Sequence, residues 1–237
     1  MSNLLRAHRH QKLDPTAKHG VTKFSDLTPS EFHDQLKLQR PTLPDSILNA
    51  PPLSTNNLPK RVDWRLKSAV TNVKDQCIRE KPSICDKGCD GGYTYNASDY
   101  IFEAGGIMAD SDYPYSGTST NPCAFDQSSV VSSISKMFYI TNKEDQIAAY
   151  VARRNPIVAY VNPQYLQSYT GGVICPSECQ QPLNHGVLLV GYDADGNWTI
   201  KNSWGENWGE QGYFKLCKGH ITCFGQEDPI ALTVEAN

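Results

Sequence analysis

All eight cysteines of this 237-residue chain lie after residue 76, and this uneven distribution constrains the fold more than any other feature. The number is too low for a miniature domain held together by disulfides, and it is high for a cytosolic enzyme. An even count favours paired thiols in an oxidising compartment. The cysteines therefore indicate a globular protein of such a compartment, whose first third contains none of them.

The composition is that of an ordinary globular protein, with 39% hydrophobic residues and a net charge of −3. This balance excludes a global basic field for nucleic acid, and no apolar run approaches the ~18 residues of a membrane-spanning helix. Two N-glycosylation triplets begin at Asn96 and Asn197 and agree with secretion. The first ten residues lack the apolar stretch of a signal peptide, so we expect reduced cysteines or a missing true start.

Residues 1–40 differ from the rest of the chain, with seven Lys and Arg, four Asp and Glu, and four of the six histidines. Two interpretations stay open: a solvated basic face, or a pH-responsive segment, because histidine changes charge between pH 5 and 8. Thr28-Pro29-Ser30-Glu31 predicts a helix start with Thr28 as its cap. Residues 41–59 contain five prolines and are expected to form an extended linker.

From Arg61 onward the patterns predict a globular α+β protein, with helices first and strands second. Helices are expected over 97–104, ending at Gly105-Gly106, and over 144–154, ending before Pro156. Short β-prone runs follow in a pattern typical of a small antiparallel sheet or barrel: 157–161, 186–192, 198–201, 212–216 and 230–234.

Three local motifs carry the chemical signal: Val73-Lys74-Asp75-Gln76, Leu183-Asn184-His185-Gly186-Val187, and Lys201-Asn202-Ser203-Trp204-Gly205-Glu206-Asn207-Trp208-Gly209. Each alone has an ordinary explanation, since a histidine at a strand start can be structural and Asn-Ser-Trp-Gly can form a turn. In this order, with Gly88-Cys89-Asp90-Gly91-Gly92 between the first two, they are far more specific.

With these motifs the sequence resembles the papain-like cysteine peptidases, in particular their plant cathepsin F-like branch. Residues 20–28 resemble the end of the family's inhibitory prosegment, and residues 58–65 resemble the start of the mature enzyme. The resemblance implies a two-lobed fold with three parts. These are a shortened prosegment and linker over 1–57, an incomplete helical lobe over 58–129, and a small antiparallel β-barrel lobe over 130–237.

The resemblance also implies a role for each motif residue. His185 would pair with a cysteine thiolate and protonate the leaving amine, and Asn202 would accept the imidazole N–H. Gln76 would donate to the oxyanion. Gly91 and Gly92 would let the substrate backbone approach and pair as a strand. Tyr93, Tyr160 and Leu183 would form edges of the main specificity pocket. Trp204, which is counted with this substrate-binding set, would shield the His–Asn hydrogen bond from water.

The nucleophile of the family is missing from this chain, because its expected position after Gln76 is occupied by Pro82. His185 follows Gln76 by 109 residues, whereas the nucleophile and histidine of the family lie roughly 130–150 residues apart. A block of roughly 30–45 residues, holding the cysteine and the central helix, is therefore expected to be absent. Cys77 does not substitute, since a loop rather than a helix start follows it. We expect no peptidase activity and a poorly stable helical half.

By the same resemblance, Cys175 pairs with Cys217 and Cys179 with Cys223, while Cys77 with Cys85 is plausible locally. The usual partners of Cys89 and Cys123 fall in the absent block, so these two cysteines either pair with each other or stay free. A zinc site is the competing interpretation, but the two Cys-x₃-Cys spacings match finger spacings loosely and no histidine lies near. We expect no metal and no cofactor.

Three readings of the whole chain stay open. In the first, the chain is an incomplete gene product of a cysteine endopeptidase. In the second, it is a non-catalytic homologue that binds peptides or a protease partner in the cleft. In the third, it is a structural remnant that is degraded. Its expected partners are a polypeptide substrate or inhibitor and its own prosegment, and it is expected to be a monomer. The family is lysosomal, vacuolar or extracellular, and the histidines of the prosegment would suit acid-triggered release.

Overall fold

A computed structural model describes residues 3–36, 48–76, 92, 94–117, 122–140, 143–176, 184–219 and 231–236. The helices in these ranges are α1 (Asn3–Leu13), α2 (Pro29–Leu36), α3 (Thr94–Glu103) and α4 (Glu144–Arg153). The strands are β1 (Ala17–His19), β2 (Leu48–Asn49), β3 (Val62–Asp63), β4 (Ile107–Met108), β5 (Val130–Ser132), β6 (Ile134–Ile140), β7 (Ile157–Val161), β8 (Tyr169–Ile174), β9 (His185–Tyr192), β10 (Trp198–Lys201), β11 (Tyr213–Leu216) and β12 (Ala231–Ala236). A strand-rich second half follows mostly helical segments, so the predicted α+β class is confirmed.

Ten of these strands form one sheet in the order β1-β8-β11-β10-β9-β7-β12-β6-β2, and β3 pairs with β9 off this path. The pairs β11–β8 and β2–β6 are parallel, and the others along the path are antiparallel. Within the described ranges β1 and β2 end the path, so the sheet is open and the predicted antiparallel barrel is wrong. The prediction considered only strands after residue 130, whereas three strands from the first 63 residues extend the sheet.

The centre of the sheet is formed by β7, β9 and β10, and its side chains build the main core. Burial alternates along β7, as expected for a strand that is covered on one face. In β10, Trp198 and Ile200 are almost fully buried. The amphipathic helix α4 covers this core with Ile147 and Val151. This packing holds the start of β9 and the end of β10, where two of the predicted site residues lie.

Helix α2 begins where the sequence predicts it. The Thr28 backbone N–H donates to Glu31 Oε2 at 2.7 Å, and the Glu31 N–H donates to Thr28 Oγ1 at 3.2 Å. These reciprocal bonds form a capping box, which satisfies backbone donors that the first helical turn leaves unpaired.

The first 57 residues are more integrated than a solvated basic segment and linker would be. His10 and Asp14 are almost fully buried, and β1 pairs with β8 at the edge of the sheet. The extended stretch after β2 runs along α4, where the Tyr150 hydroxyl donates to Pro51 O and Gln146 bonds both backbone groups of Leu53. The interpretation of residues 1–40 as a solvated face is therefore wrong, because tertiary contacts bury part of α1.

The described part of residues 58–129 is sparsely packed. No residue of α3 is buried, and the strands β4 and β5 form a separate two-stranded sheet. The pairing of β4 with β5 crosses the predicted lobe boundary at residue 129, and the division into three parts stays a prediction. The expected absence of a central helix concerns residues largely outside the described ranges. None of the described helices combines the length and apolar character that crossing a bilayer requires.

Candidate active site

His185 and Asn202 meet at adjacent ends of two paired strands. His185 is the first residue of β9 and Asn202 directly follows β10, which runs antiparallel to β9. The two side chains are almost fully buried, and His185 Nε2 lies 2.7 Å from Asn202 Oδ1. The structure thus brings together two of the three residues predicted to be catalytic.

The hydrogen bonds around Asn202 determine which ring nitrogen of His185 carries a proton. The Ser203 backbone N–H donates to Asn202 Oδ1 at 2.9 Å, so this atom is the amide oxygen and accepts from its neighbours. His185 Nε2 must therefore donate to it, and neutral His185 carries its lone pair on Nδ1. Nδ1 is buried and has no hydrogen-bond partner among the described residues.

Burial determines the charge of His185. Loss of solvation lowers the pKa of His185 to about 4, although the hydrogen bond to Asn202 opposes this shift. The imidazole is therefore neutral near pH 7, because a buried imidazolium is stable only beside a compensating negative charge. A thiolate next to Nδ1 would supply such a charge.

Trp204 covers the histidine. The Trp204 ring stacks on the His185 imidazole with 4.7 Å between centroids and 21° between planes. The Trp208 ring packs edge-on against the Trp204 ring, with 4.8 Å between centroids. Trp204 is almost fully buried, so water is kept from this side of the His–Asn pair. The glycine of the second Trp-Gly pair, Gly209, has φ of +59°, and an added Cβ would lie 2.7 Å from Tyr213 O. The motif therefore needs glycine at this turn.

Gln76 joins the same hydrogen-bond network through Ser203. The Gln76 backbone N–H donates to Ser203 O at 2.8 Å, and the Ser203 hydroxyl donates to Gln76 Oε1 at 2.6 Å. The preceding residue, Asp75, forms an isolated bridge with Trp204. Because Oε1 of Gln76 accepts a bond, Nε2 is the side-chain group that can donate to an oxyanion, the role that the sequence predicts.

The predicted substrate-contacting residues are only partly described. Gly92 is exposed, whereas Gly91, Tyr93 and Leu183 lie outside the described residues. Tyr160 is half-buried in β7, directly opposite Gly186 of β9, and its hydroxyl bonds the hydroxyl of Thr94 at the start of α3. Tyr160 therefore lies beside the strand that begins with the candidate histidine.

Among the described cysteines, Cys175 and Cys217 are joined by a disulfide between the ends of β8 and β11, with 5.4 Å between Cα atoms. Cys123 is a free, exposed thiol. The pairs Cys179–Cys223 and Cys77–Cys85, and also Cys89, lie outside the described residues. No thiol in the described ranges bonds His185 Nδ1, and no cluster of potential metal ligands occurs there.

The aromatic contacts of the N-terminal segment with Trp204 were not predicted individually. Phe24 and Phe32 pack edge-on against Trp204, with centroids 4.9 and 5.6 Å away, and both are almost fully buried. The side chain of His33 on α2 contacts Asn184, the residue before His185. Phe24 and Phe32 are the only phenylalanines in the polar residues 1–40, and this was the sequence signal from which their burial could have been predicted. The segment therefore covers the candidate site from outside.

Comparison with known proteins gives a consistent picture. A family model described as papain family cysteine protease matches residues 77–233. The chain is 41% identical to "Probable cysteine protease RD19B" of Arabidopsis thaliana, over 99% of this chain and 79% of the relative. It is also 41% identical to "Cysteine proteinase 15A" of Pisum sativum, over 94% of this chain and 76% of the relative.

Solved structures of proforms have the same fold. Digestive procathepsin L 3 from Tenebrio molitor larval midgut superposes with a TM-score of 0.78 at 28% identity, covering 98% of this chain and 88% of the other. The proform of the ragweed pollen cysteine protease Amb a 11 gives 0.77 at 28% identity, covering 98% and 84%. The alignment with the Arabidopsis relative runs over 287 residues, which exceeds the 237 residues of this chain by 50.

Proposed function

The chain belongs to the papain family of cysteine proteases, and from this premise we propose that it is a member of the plant cathepsin F-like branch that has lost its nucleophile. It retains the histidine and asparagine of a Cys–His–Asn endopeptidase site and the glutamine that would support the oxyanion. This chain does not hydrolyse peptide bonds.

The observation that most supports this proposal is that His185 Nδ1 is buried and has no hydrogen-bond partner among the described residues. In the reaction of a cysteine peptidase, the histidine takes the thiol proton, the thiolate attacks the peptide carbonyl, and the imidazolium then protonates the leaving amine. Asn202 holds Nε2 as the donor, so Nδ1 is the atom that would exchange this proton. Nδ1 is buried and has no partner among the described residues. This supports a site that keeps the proton acceptor, His185 Nδ1, but lacks the cysteine thiol that would donate the proton.

Sequence spacing supports the same proposal. Pro82 occupies the position expected for the nucleophile. At least 50 positions of the alignment with the Arabidopsis relative face a gap in this chain, which can accommodate the roughly 30–45 residues expected to be absent near Gln76. Loss of the nucleophile in a triad enzyme typically lowers kcat by about 10⁶.

We further propose that residues 1–57 act as the inhibitory prosegment of this chain and are its first partner. The contacts of Phe24 and Phe32 with Trp204 support this role, as does the likeness to structures of proforms. A polypeptide substrate or inhibitor would compete for the same face. The protein is expected to act as a monomer.

The compartment is proposed from the family to be the lysosome, the vacuole or the extracellular space. The disulfide between Cys175 and Cys217 supports an oxidising environment. Of the two glycosylation triplets, Asn96 is exposed on α3, whereas the side-chain amide of Asn197 donates to Asp193. Asn96 is therefore the more accessible acceptor.

A graft tests the proposed function. The block of the Arabidopsis relative that is proposed to be absent from this chain would be inserted between Gln76 and Cys77, and cleavage of a fluorogenic peptide would be measured after acid activation. We expect activity and labelling by a thiol-directed epoxide in the grafted chain, and neither in the parent. A graft with its nucleophilic cysteine changed to alanine is the matched control.

Two outcomes separate the alternatives. Epoxide labelling of the parent chain that disappears in His185→Ala would show that a resident cysteine serves as nucleophile, which contradicts the proposal. Saturable binding of a peptide without cleavage, by the parent or by the parent after removal of residues 1–57, would favour the non-catalytic homologue.

A further inference from the structure

A cavity of about 360 Å³ lies between α1, the start of α2 and the 3-10 turn Tyr165–Ser168. Its lining contains none of the residues assigned to the candidate active site. One wall belongs to the N-terminal segment and the opposite wall to the sheet half, so anything bound in the cavity contacts both.

The wall formed by α1 is strongly basic. Arg6, Arg9, His10 and Leu13 all line the cavity, and their spacing of i, i+3, i+4 and i+7 places them on one face of the helix. No acidic side chain of the described ranges lines the cavity. Burial and the charge of His19 lower the pKa of His10, and the positive charges of Arg6 and Arg9 add to this shift.

Two of these side chains, Arg6 and His10, are held in position by hydrogen bonds. Arg6 Nη1 donates to Leu27 O at 3.0 Å and to Gln167 Oε1 at 2.8 Å. His10 Nδ1 lies 2.7 Å from the Ser168 hydroxyl, so Nε2 is the ring nitrogen left to meet a ligand. These bonds hold the Arg6 guanidinium and the His10 ring in position, and preorganised donors lose little conformational entropy when an anion binds.

The remaining lining is apolar and aromatic. Leu13, Pro29 and Tyr165 contribute to it, and the Tyr165 ring lies 5.1 Å from that of His10. A bare inorganic ion would leave this surface unused. A ligand with an anionic head and a small organic body would fill both parts, in keeping with how small-molecule sites combine apolar walls with a few polar groups.

We propose that this cavity binds an organic phosphate monoester, with the phosphate against Arg6, Arg9 and His10 and the organic group against Leu13, Pro29 and Tyr165. Arginine favours this anion because its planar guanidinium matches two phosphate oxygens. The bound ligand connects α1 to the turn that carries Gln167, and so it strengthens the attachment of the N-terminal segment. The site requires neither a nucleophile nor His185.

Calorimetric titration of the full chain with phenyl phosphate tests the proposal, with inorganic phosphate and phenol as partial probes. We expect saturable binding of phenyl phosphate, weaker binding of inorganic phosphate and none of phenol. Arg9 is exposed on α1, so Arg9→Gln should leave the fold intact and weaken binding about tenfold, as expected for one lost charge-assisted bond. Arg9→Lys keeps the charge and should retain most of the affinity.

Lys12→Gln is the matched control, because it removes the same charge from the same helix at an exposed position outside the cavity lining. It should weaken binding less than about twofold, as expected for a surface charge screened by salt. Equal weakening by Arg9→Gln and Lys12→Gln would overturn the proposal, since binding would then follow the net charge of α1. Lack of saturation in the millimolar range, or equally tight binding of succinate, would also overturn it.

Discussion

Acid should lower the free energy of unfolding of this protein, and His10 should account for a defined share of the loss. The side chain is buried, and burial is the main cause that lowers the pKa of His10 to about 4. The charges of His19, Arg6 and Arg9 act in the same direction, while Asp14 opposes them. The other ring that faces His10 is that of Tyr165.

The sign of the effect follows from the depressed pKa. The unfolded chain has a histidine pKa near 6.5, so between pH 6.5 and 4 it binds a proton at His10 that the folded chain does not. The stabilising contribution is therefore present above pH 6.5 and is lost as the pH falls toward 4. At 1.36 kcal/mol per pKa unit the full effect is about 3 kcal/mol at most, of which about 2 kcal/mol is lost by pH 5.

Urea unfolding at pH 7, 6 and 5 would measure this loss. The pKa of His185 is also lowered to about 4 and adds a parallel loss, so the comparison must be made between variants. His10→Asn keeps a group that can bond the Ser168 hydroxyl, and it should lose about 2 kcal/mol less than the parent between pH 7 and 5. His8→Asn, at an exposed position of the same helix, should follow the parent.

Limited proteolysis of residues 1–57 at pH 7 and pH 5 would show whether the loss of stability in acid occurs in the N-terminal segment. We expect faster cleavage of this segment at pH 5 in the parent and a smaller change in His10→Asn. Identical pH dependence of unfolding in the parent and His10→Asn would refute the reasoning, because His10 would then bind its proton equally in both states.

Three further results are expected. Phe24→Ala should lower the free energy of unfolding by about 3–5 kcal/mol in urea unfolding, because it removes a buried ring, whereas Val21→Ala, at a 70% exposed position, should change it by less than about 0.5 kcal/mol. Nitrogen NMR of His185 should show a neutral ring protonated at Nε2 from pH 7 down to about pH 5, and a ring protonated at Nδ1 would contradict the assigned tautomer. Replacing Cys175 and Cys217 by serine should cost up to about 4 kcal/mol in thermal unfolding, since their bond closes a loop with a sequence separation of 42, and unchanged stability would show that this loop is already ordered in the unfolded chain.

Local signals predicted the elements that local chemistry determines. The capping residues Thr28 and Glu31 marked the start of α2, and Pro156 marked the end of α4 within one residue. The strands β7 and β10 were predicted with the observed bounds. Each combines a short β-prone run with clear boundaries, so little tertiary information was needed.

Elements that depend on distant partners were missed. The three-residue strand β1 exists because it pairs with β8 about 150 residues later, and its own sequence, Ala-Lys-His, has no β pattern. Helix α1 carries basic residues on the face that enters the protein, so its pattern indicated a solvated segment. His10 is buried against Ser168 and Tyr165, which lie far along the sequence from α1. For the candidate site, the motifs identified His185 and Asn202, but the orientation of the amide required the Ser203 contact.

The two halves of the molecule differ in how completely they bury their apolar residues. The sheet half has a continuous core that includes Trp198, Ile200 and Trp204. In the stretch around α3, large apolar side chains are half or more exposed at Tyr100 (54%) and Phe102 (52%). The described residues around α3 therefore pack less completely than those of the sheet core.

This contrast bears on the grafted chain. The hydrogen bonds that orient His185 come from Asn202 and Ser203, which lie in the fully packed half. Ser203 also bonds Gln76, which belongs to the predicted helical lobe. These contacts already hold His185 in the tautomer that the proposed mechanism requires. On the proposed function, a graft should recover stability around α3 and catalytic activity together, because one inserted block would supply both a packing surface and the nucleophile.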